Sequence, residues 1–203
     1  MRCRTLAYPL LVLLGVTSAL PMMFSMACGA DTASAEAIPI VSDYEGYEYR
    51  TVQIGDQVWM AENLRTEYTA DGTPLERVFA FANQEANVPV YGRLYEYDAA
   101  VNAAPVGWHL PSDEEWGVLE VALGVEAGIQ FREGGGLGFD AIYGGYRNRF
   151  GAFESLDRWG SYWSSTLFMS DHGHIRNIVV GATTINRWGS SIHSSLSVRY
   201  VKD

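Results

Sequence analysis

A histidine, three acids and two tryptophans fall within G-W-H-L-P-S-D-E-E-W, residues 107–116. Such a set could ligate a metal or move protons, if the ring and the carboxylates met on one face. The spacing points elsewhere. Ser112 and Glu115 form S-x-x-E directly before an apolar-periodic run, which is the signature of a capping box. In that arrangement the Ser112 hydroxyl accepts from the Glu115 N–H, and the Glu115 carboxylate accepts from the Ser112 N–H. Asp113 and Glu114 fall in the first turn, where exposed N–H groups favour negative charge. Pro111 holds Leu110 extended and sets His109 apart from the acids. Each acid thus has a structural task, and no metal ligand or catalytic residue is assigned here.

The other polar constellations assemble no set of catalytic roles. D-H-G-H, residues 171–174, offers two imidazoles and a carboxylate but nominates no further ligand, and reads as loop histidines at a turn. G-G-G-L-G-F-D-A, residues 134–141, lacks the strand-then-helix context of a phosphate cradle and reads as a flexible loop. Ser164 and Ser165 have no G-x-S-x-G elbow around them. Among 24 acidic residues, spacing alone selects no glycosidase pair. The expectation is a protein that is not an enzyme and takes no cofactor or metal.

The aromatic residues carry more information. Trp159, Tyr162, Trp163 and Trp188, with Tyr143 and Tyr146, crowd the second half beside Arg147, Asn148, Arg149, Asp157 and Arg158. Flat rings beside directed polar groups suit sugar or peptide recognition. Most large aromatics nevertheless fill cores, and Trp116 and Trp163 are assigned there. Trp159 and Trp188 each stand in R-W-G and are expected at loop edges. Together with Arg147 and Arg158 they are the ligand-binding candidates.

These side chains need a frame. Residues 47–54 and 57–61 read as paired strands around Gly55-Asp56, where a leading Gly suits a type II′ turn. Residues 65–89 read as loop with room for one short strand. A short helix is expected over 98–104, with Asp98 as N-cap and Pro105 closing it. A second is expected over 112–123, with Trp116, Leu119, Ala122 and Leu123 on one side and Gly124 ending it. Strands are expected near 139–144, 159–166, 175–180 and 196–202. A hairpin, two helices and then strands give an α+β domain.

The first residues concern location. Arg2 and Arg4 precede an uncharged apolar run over residues 6–20, and small residues follow at 25–30. That order is a secretory signal peptide, expected over 1–27. Cys28 then stands first in the exported chain, at the place of a lipoprotein's acylated cysteine; Ser-Met-Ala before it also suits ordinary cleavage at the same bond. Residues 28–43 form a spacer of small and acidic residues. The globular domain is expected over 44–203. Without Arg2 and Arg4 the chain has 12 basic residues against 24 acidic ones, a balance that argues against nucleic-acid binding.

An ordered series of blocks runs through this domain: W-M-A-E-N-L (59–64), Y-G-R-L-Y (91–95), D-A-A (98–100), G-W-H-L-P-S-D-E-E-W, G-G-Y-R-N (144–148), Y-W-S-S-T (162–166) and S-V-R-Y-V-K-D (197–203). Together they resemble the Fibrobacter succinogenes major paralogous domain, a family of exported bacterial proteins, many of them lipoproteins. The resemblance implies a fold similar to C-type lectins: two helices, then a twisted antiparallel sheet closed by the first and last strands. Members often carry cysteines where this chain has Ala104 and Tyr200. The resemblance therefore implies that these two positions lie close together, and that packing replaces a cross-link of ~2–4 kcal/mol. The E-P-N, Q-P-D and W-N-D triplets of calcium-binding lectins are missing, and Y-W-S-S-T takes their place. The combined expectation is an exported, lipid-anchored envelope protein that binds a glycan or an envelope protein without catalysis. The alternatives are a structural surface protein with no small ligand and, after it, a carbohydrate-active enzyme.

Overall fold

Gly55 adopts φ 59° while Asp56 keeps a negative φ, the sign pattern of the type II′ turn that a Gly-Asp pair favours. The computed structural model describes residues 40–203; the leader, Cys28 and the spacer up to residue 39 lie outside the described residues. Strands β1 (Val41–Ser42) and β2 (Glu48–Tyr49) pair with each other. Val41, ahead of the expected boundary at residue 44, is buried in the core. The hairpin proper is β3 (Thr51–Ile54) with β4 (Gln57–Met60). The strand expected over 47–54 is broken at Arg50, whose N–H donates to Glu62 Oε1 at 3.0 Å instead of to a strand partner.

β5 (Val78–Phe79), the single-turn helix α1 (Val88–Tyr91) and β6 (Leu94–Tyr95) follow. Helix α2 (Tyr97–Asn102) starts one residue before the expected N-cap. Glu96 holds the cap position without capping, and Asp98 lies in the first turn. The reason is upstream: Tyr95 is fixed by a two-way backbone pairing with Leu196, so the helix starts directly after it. After β7 (Trp108–His109), helix α3 (Asp113–Leu123) carries the full capping box and ends at Gly124. It buries Trp116, Leu119 and Leu123, whereas Ala122 stays exposed on the flank beside Gly55. A further short helix, α4 (Ala127–Phe131), precedes the glycine-rich loop.

The second half forms β8 (Gly144–Arg147), β9 (Phe153–Leu156), β10 (Trp159–Met169), β11 (His172–Val179), β12 (Asn186–Ser191) and β13 (Val201–Lys202). Five of them make a sheet in the order β12-β11-β10-β8-β9. The sheet is not purely antiparallel, because β8 and β10 run parallel. A second sheet has the order β3-β4-β13-β7, so the last strand pairs with the first hairpin. Residues 139–143 are not the expected strand: side chains take several of their backbone groups, and Ala141 pairs only as an isolated bridge with Arg132. Arg199 takes the carbonyls of Phe139 and Asp140, and the Tyr162 hydroxyl binds both the N–H and the C=O of Ile142. The fold is mixed α+β, mostly sheet with few helices.

Two buried clusters hold these layers together. One gathers Tyr49, Tyr95, Trp163, Val198 and Tyr200 against α2. Within it the Tyr200 hydroxyl donates to the Ala100 carbonyl at 2.8 Å, and Ala104 packs against the same cluster. The other gathers Trp59, Trp116, Phe131, Phe139 and Tyr162.

The N-terminus of α3 is tied to the large sheet by charge. Asp113 accepts from Arg187 Nε at 2.8 Å and from Arg176 Nη1 at 2.7 Å. Arg176, whose side chain is only 3% exposed, also binds Glu120. The hydrogen bond from Arg187, with that from Arg176 behind it, lowers the Asp113 carboxyl from 3.8 to about 2. Its folded value lies below its unfolded one. The tie therefore stabilises the domain above about pH 4 and is lost as pH falls through about 2. Asp113→Asn is expected to flatten the loss of stability between pH 4 and 2, read from urea midpoints at stepped pH. An unchanged acid limb would show that other carboxylates set it.

Candidate functional site

Strands β10 and β12 flank β11, with Trp159 opposite Val179 and Trp188 opposite Ile175. Positions 175, 177 and 179 share one face of β11, so the two tryptophans lie on that face either side of Asn177. Their ring centroids are 5.6 Å apart at 66°. Tyr146, from β8, stacks on the Trp159 ring at 5.8 Å and 15°. The result is a three-ring ladder across the sheet. Asn177 is fully buried; it donates to Ser161 Oγ at 2.8 Å, while its own carbonyl oxygen has no partner among the described residues.

Trp159 stands at a loop edge as expected, opening β10 directly after the Asp157-Arg158 turn, whereas Trp188 does not. Trp188 lies within β12, because N-R-W-G-S-S forms an edge strand that its glycine and serines did not announce. Their exposure differs in a way that matters. Trp159 is half-buried between Tyr146 and Trp188, whereas Trp188 is 44% exposed. Its ring is the one the ladder presents to solvent.

Polar groups brace the inner end. The Tyr146 hydroxyl donates to Glu154 Oε2 at 2.6 Å, and Asn148 donates to Glu154 Oε1. Partial burial, with the Glu154 bond second, pushes the Tyr146 hydroxyl up to about 12, so it remains a neutral donor at ordinary pH. Glu154 was not singled out from the sequence, where F-E-S-L shows no alternation.

The two arginine candidates are not brought to the ladder in the same manner. Arg147 follows Tyr146 in β8 and so points to the opposite face. Its guanidinium lies 4.1 Å from the Phe79 ring centroid, a cation–π contact that holds β5. Arg158 is exposed in the turn before β10 and forms no ion pair among the described residues. Asp157 beside it accepts from the Tyr91 hydroxyl at 2.8 Å. Trp116 and Trp163 are fully buried, as assigned.

His109 also departs from expectation, because its ring joins the capping box. Pairing of β7 with β13 brings the C-terminal Asp203 to Nδ1 at 2.6 Å, while Nε2 meets Glu115 Oε1 at 2.7 Å. Burial opposes charging of this ring, but the bonds to Asp203 and Glu115 outweigh it and raise its pKa. With both nitrogens engaged, the ring acts as a latch and offers no free ligand atom. His172 and His174 lie in β11, not in a loop, with His172 on Asp171 and His174 on Arg187. Among the described residues, no group of three His, Cys, Asp or Glu is arranged to hold a metal.

Residues 52–202 match the family model of the Fibrobacter succinogenes major domain. No curated protein and no solved structure matches the chain.

Proposed function

From the premise that the chain belongs to the Fibrobacter succinogenes major domain family, we propose an exported, lipid-anchored envelope protein with a C-type-lectin-like, non-catalytic binding domain. Cys28 carries the lipid and residues 29–40 tether the domain to the outer membrane or cell surface. The lectin-like reading is supported by β13, which joins the opening hairpin, and by α2 and α3, which precede the large sheet. The ligand is a glycan, taken without calcium, since the sugar-and-calcium triplets are missing from the sequence.

One observation carries this reading: Trp188 offers a 44%-exposed indole at the end of an otherwise packed aromatic ladder. Stacking on a sugar ring uses such a face, and a rigid ladder limits the ordering cost on binding. The test is a glycan array probed with the exported chain in calcium and in chelator. Binding that survives chelation and falls at least tenfold in Trp188→Ala is the expected result. A blank array from folded protein would sink the glycan reading and direct the search to envelope proteins.

A further inference from the structure

A second feature lies away from the aromatic ladder. Between the 69–77 loop and helix α2 runs a groove of about 790 Å³, lined also by Ile192 and His193. Leu75, Ala99 and Ile192 supply apolar lining, and Asp71, Glu76, Glu96 and Asp98 line it against Arg77 and the exposed His193.

Glu96 is the informative residue. It is 5% exposed and stands at the N-cap position of α2, yet its side chain does not cap the helix. Oε1 accepts from Arg77 Nη1 at 3.2 Å. Oε2 accepts no hydrogen bond among the described residues; its contact with His193 Nδ1 is 3.7 Å long, and His193 is 66% exposed. Oε2 is not sealed from solvent, so a donor entering the groove can reach it.

We propose that this groove binds an extended, arginine-bearing segment of a partner protein, with a guanidinium donating to Glu96 Oε2. The chemistry fits in three respects. A guanidinium supplies forked donors to carboxylates, and its aliphatic stem lies comfortably on Leu75, Ala99 and Ile192. Four carboxylates against one arginine repel anionic ligands and attract cationic ones. The volume exceeds what one side chain fills and suits a stretch of chain.

The probe is an acetylated, amidated peptide of alternating arginine and alanine, titrated calorimetrically into the exported chain. Two variants address the groove: Glu96→Gln, which keeps an acceptor for Arg77, and the exposed rim pair Glu76→Gln/Asp98→Asn. Glu114→Gln/Glu133→Gln makes the same charge change as the rim pair at exposed sites outside the groove. Each groove variant is expected to weaken binding at least tenfold, with the control pair within twofold of the parent. Absence of binding to the parent overturns the proposal. So does equal weakening by the rim and control pairs, which would reduce the effect to diffuse attraction by an acidic chain. Trp188→Ala should leave this titration unchanged, so the groove and the glycan reading fail separately.

Discussion

Arg199→Met lowers the stability of the domain by about 3 kcal/mol, read as a fall in urea midpoint at constant slope. Arg199 is fully buried and meets no carboxylate among the described residues. Its guanidinium instead donates to Asn63 Oδ1 at 2.9 Å, to the Phe139 carbonyl, and to the Asp140 carbonyl at 2.8 Å. It also lies 4.5 Å from the Phe139 ring centroid. Burial lowers its pKa, which marks the cost of holding the charge there. Methionine removes that cost, and apolar replacements of buried ions are often neutral for this reason. Here the acceptors stay behind. Each orphaned buried acceptor costs about 1–3 kcal/mol, and two of the three, Asn63 Oδ1 and the Phe139 carbonyl, are buried, so their loss outweighs the recovered desolvation. A loss below about 1 kcal/mol would show that water replaces the guanidinium.

Trp116→Ala is expected to cost about 3–5 kcal/mol, the range for large aromatics removed from a core. Trp116 is where helix α3 meets both sheets. Its ring lies 4.7 Å from Trp59, 5.9 Å from Phe131 and 6.2 Å from Tyr162. Its Nε1 donates to the Trp163 carbonyl at 3.2 Å. The neighbours come from β4, α4 and β10, so no single element can shift to fill the space. Trp116→Phe separates the two contributions, because it keeps an aromatic ring but orphans the Trp163 carbonyl. It should fall between the parent and the alanine variant in thermal unfolding. Equal losses in both variants would assign the whole effect to the hydrogen bond.

What the sequence made legible was local chemistry. The capping box at Ser112, the turn at Gly55 and the helix stop at Gly124 depend on a few adjacent residues, and they appear where those residues stand. What it hid was long-range competition for backbone groups. Residues 139–143 have strand-forming side chains, yet Arg199 and Tyr162, far along the chain, take their carbonyls and an N–H. Edge strand β12 was hidden because its pairing with β11 needs no apolar alternation of its own. The ligand-site candidates were separable only in three dimensions. Trp159 and Trp188 converge over Asn177, while Arg147 is turned away by strand alternation. His109 and Asp203 are 94 positions apart, a distance over which spacing carries no signal.

Tyr200 and α2 carry a last consequence. Where relatives are expected to hold helix and final strand by a sulfur bridge, this chain uses a phenol hydroxyl on the Ala100 carbonyl. The cysteines are Cys3 and Cys28, both ahead of the domain. Closure of the domain is therefore independent of oxidants, isomerases and the thiol poise of its surroundings. Reductant that would loosen a disulfide-closed relative has no disulfide to act on within residues 40–203.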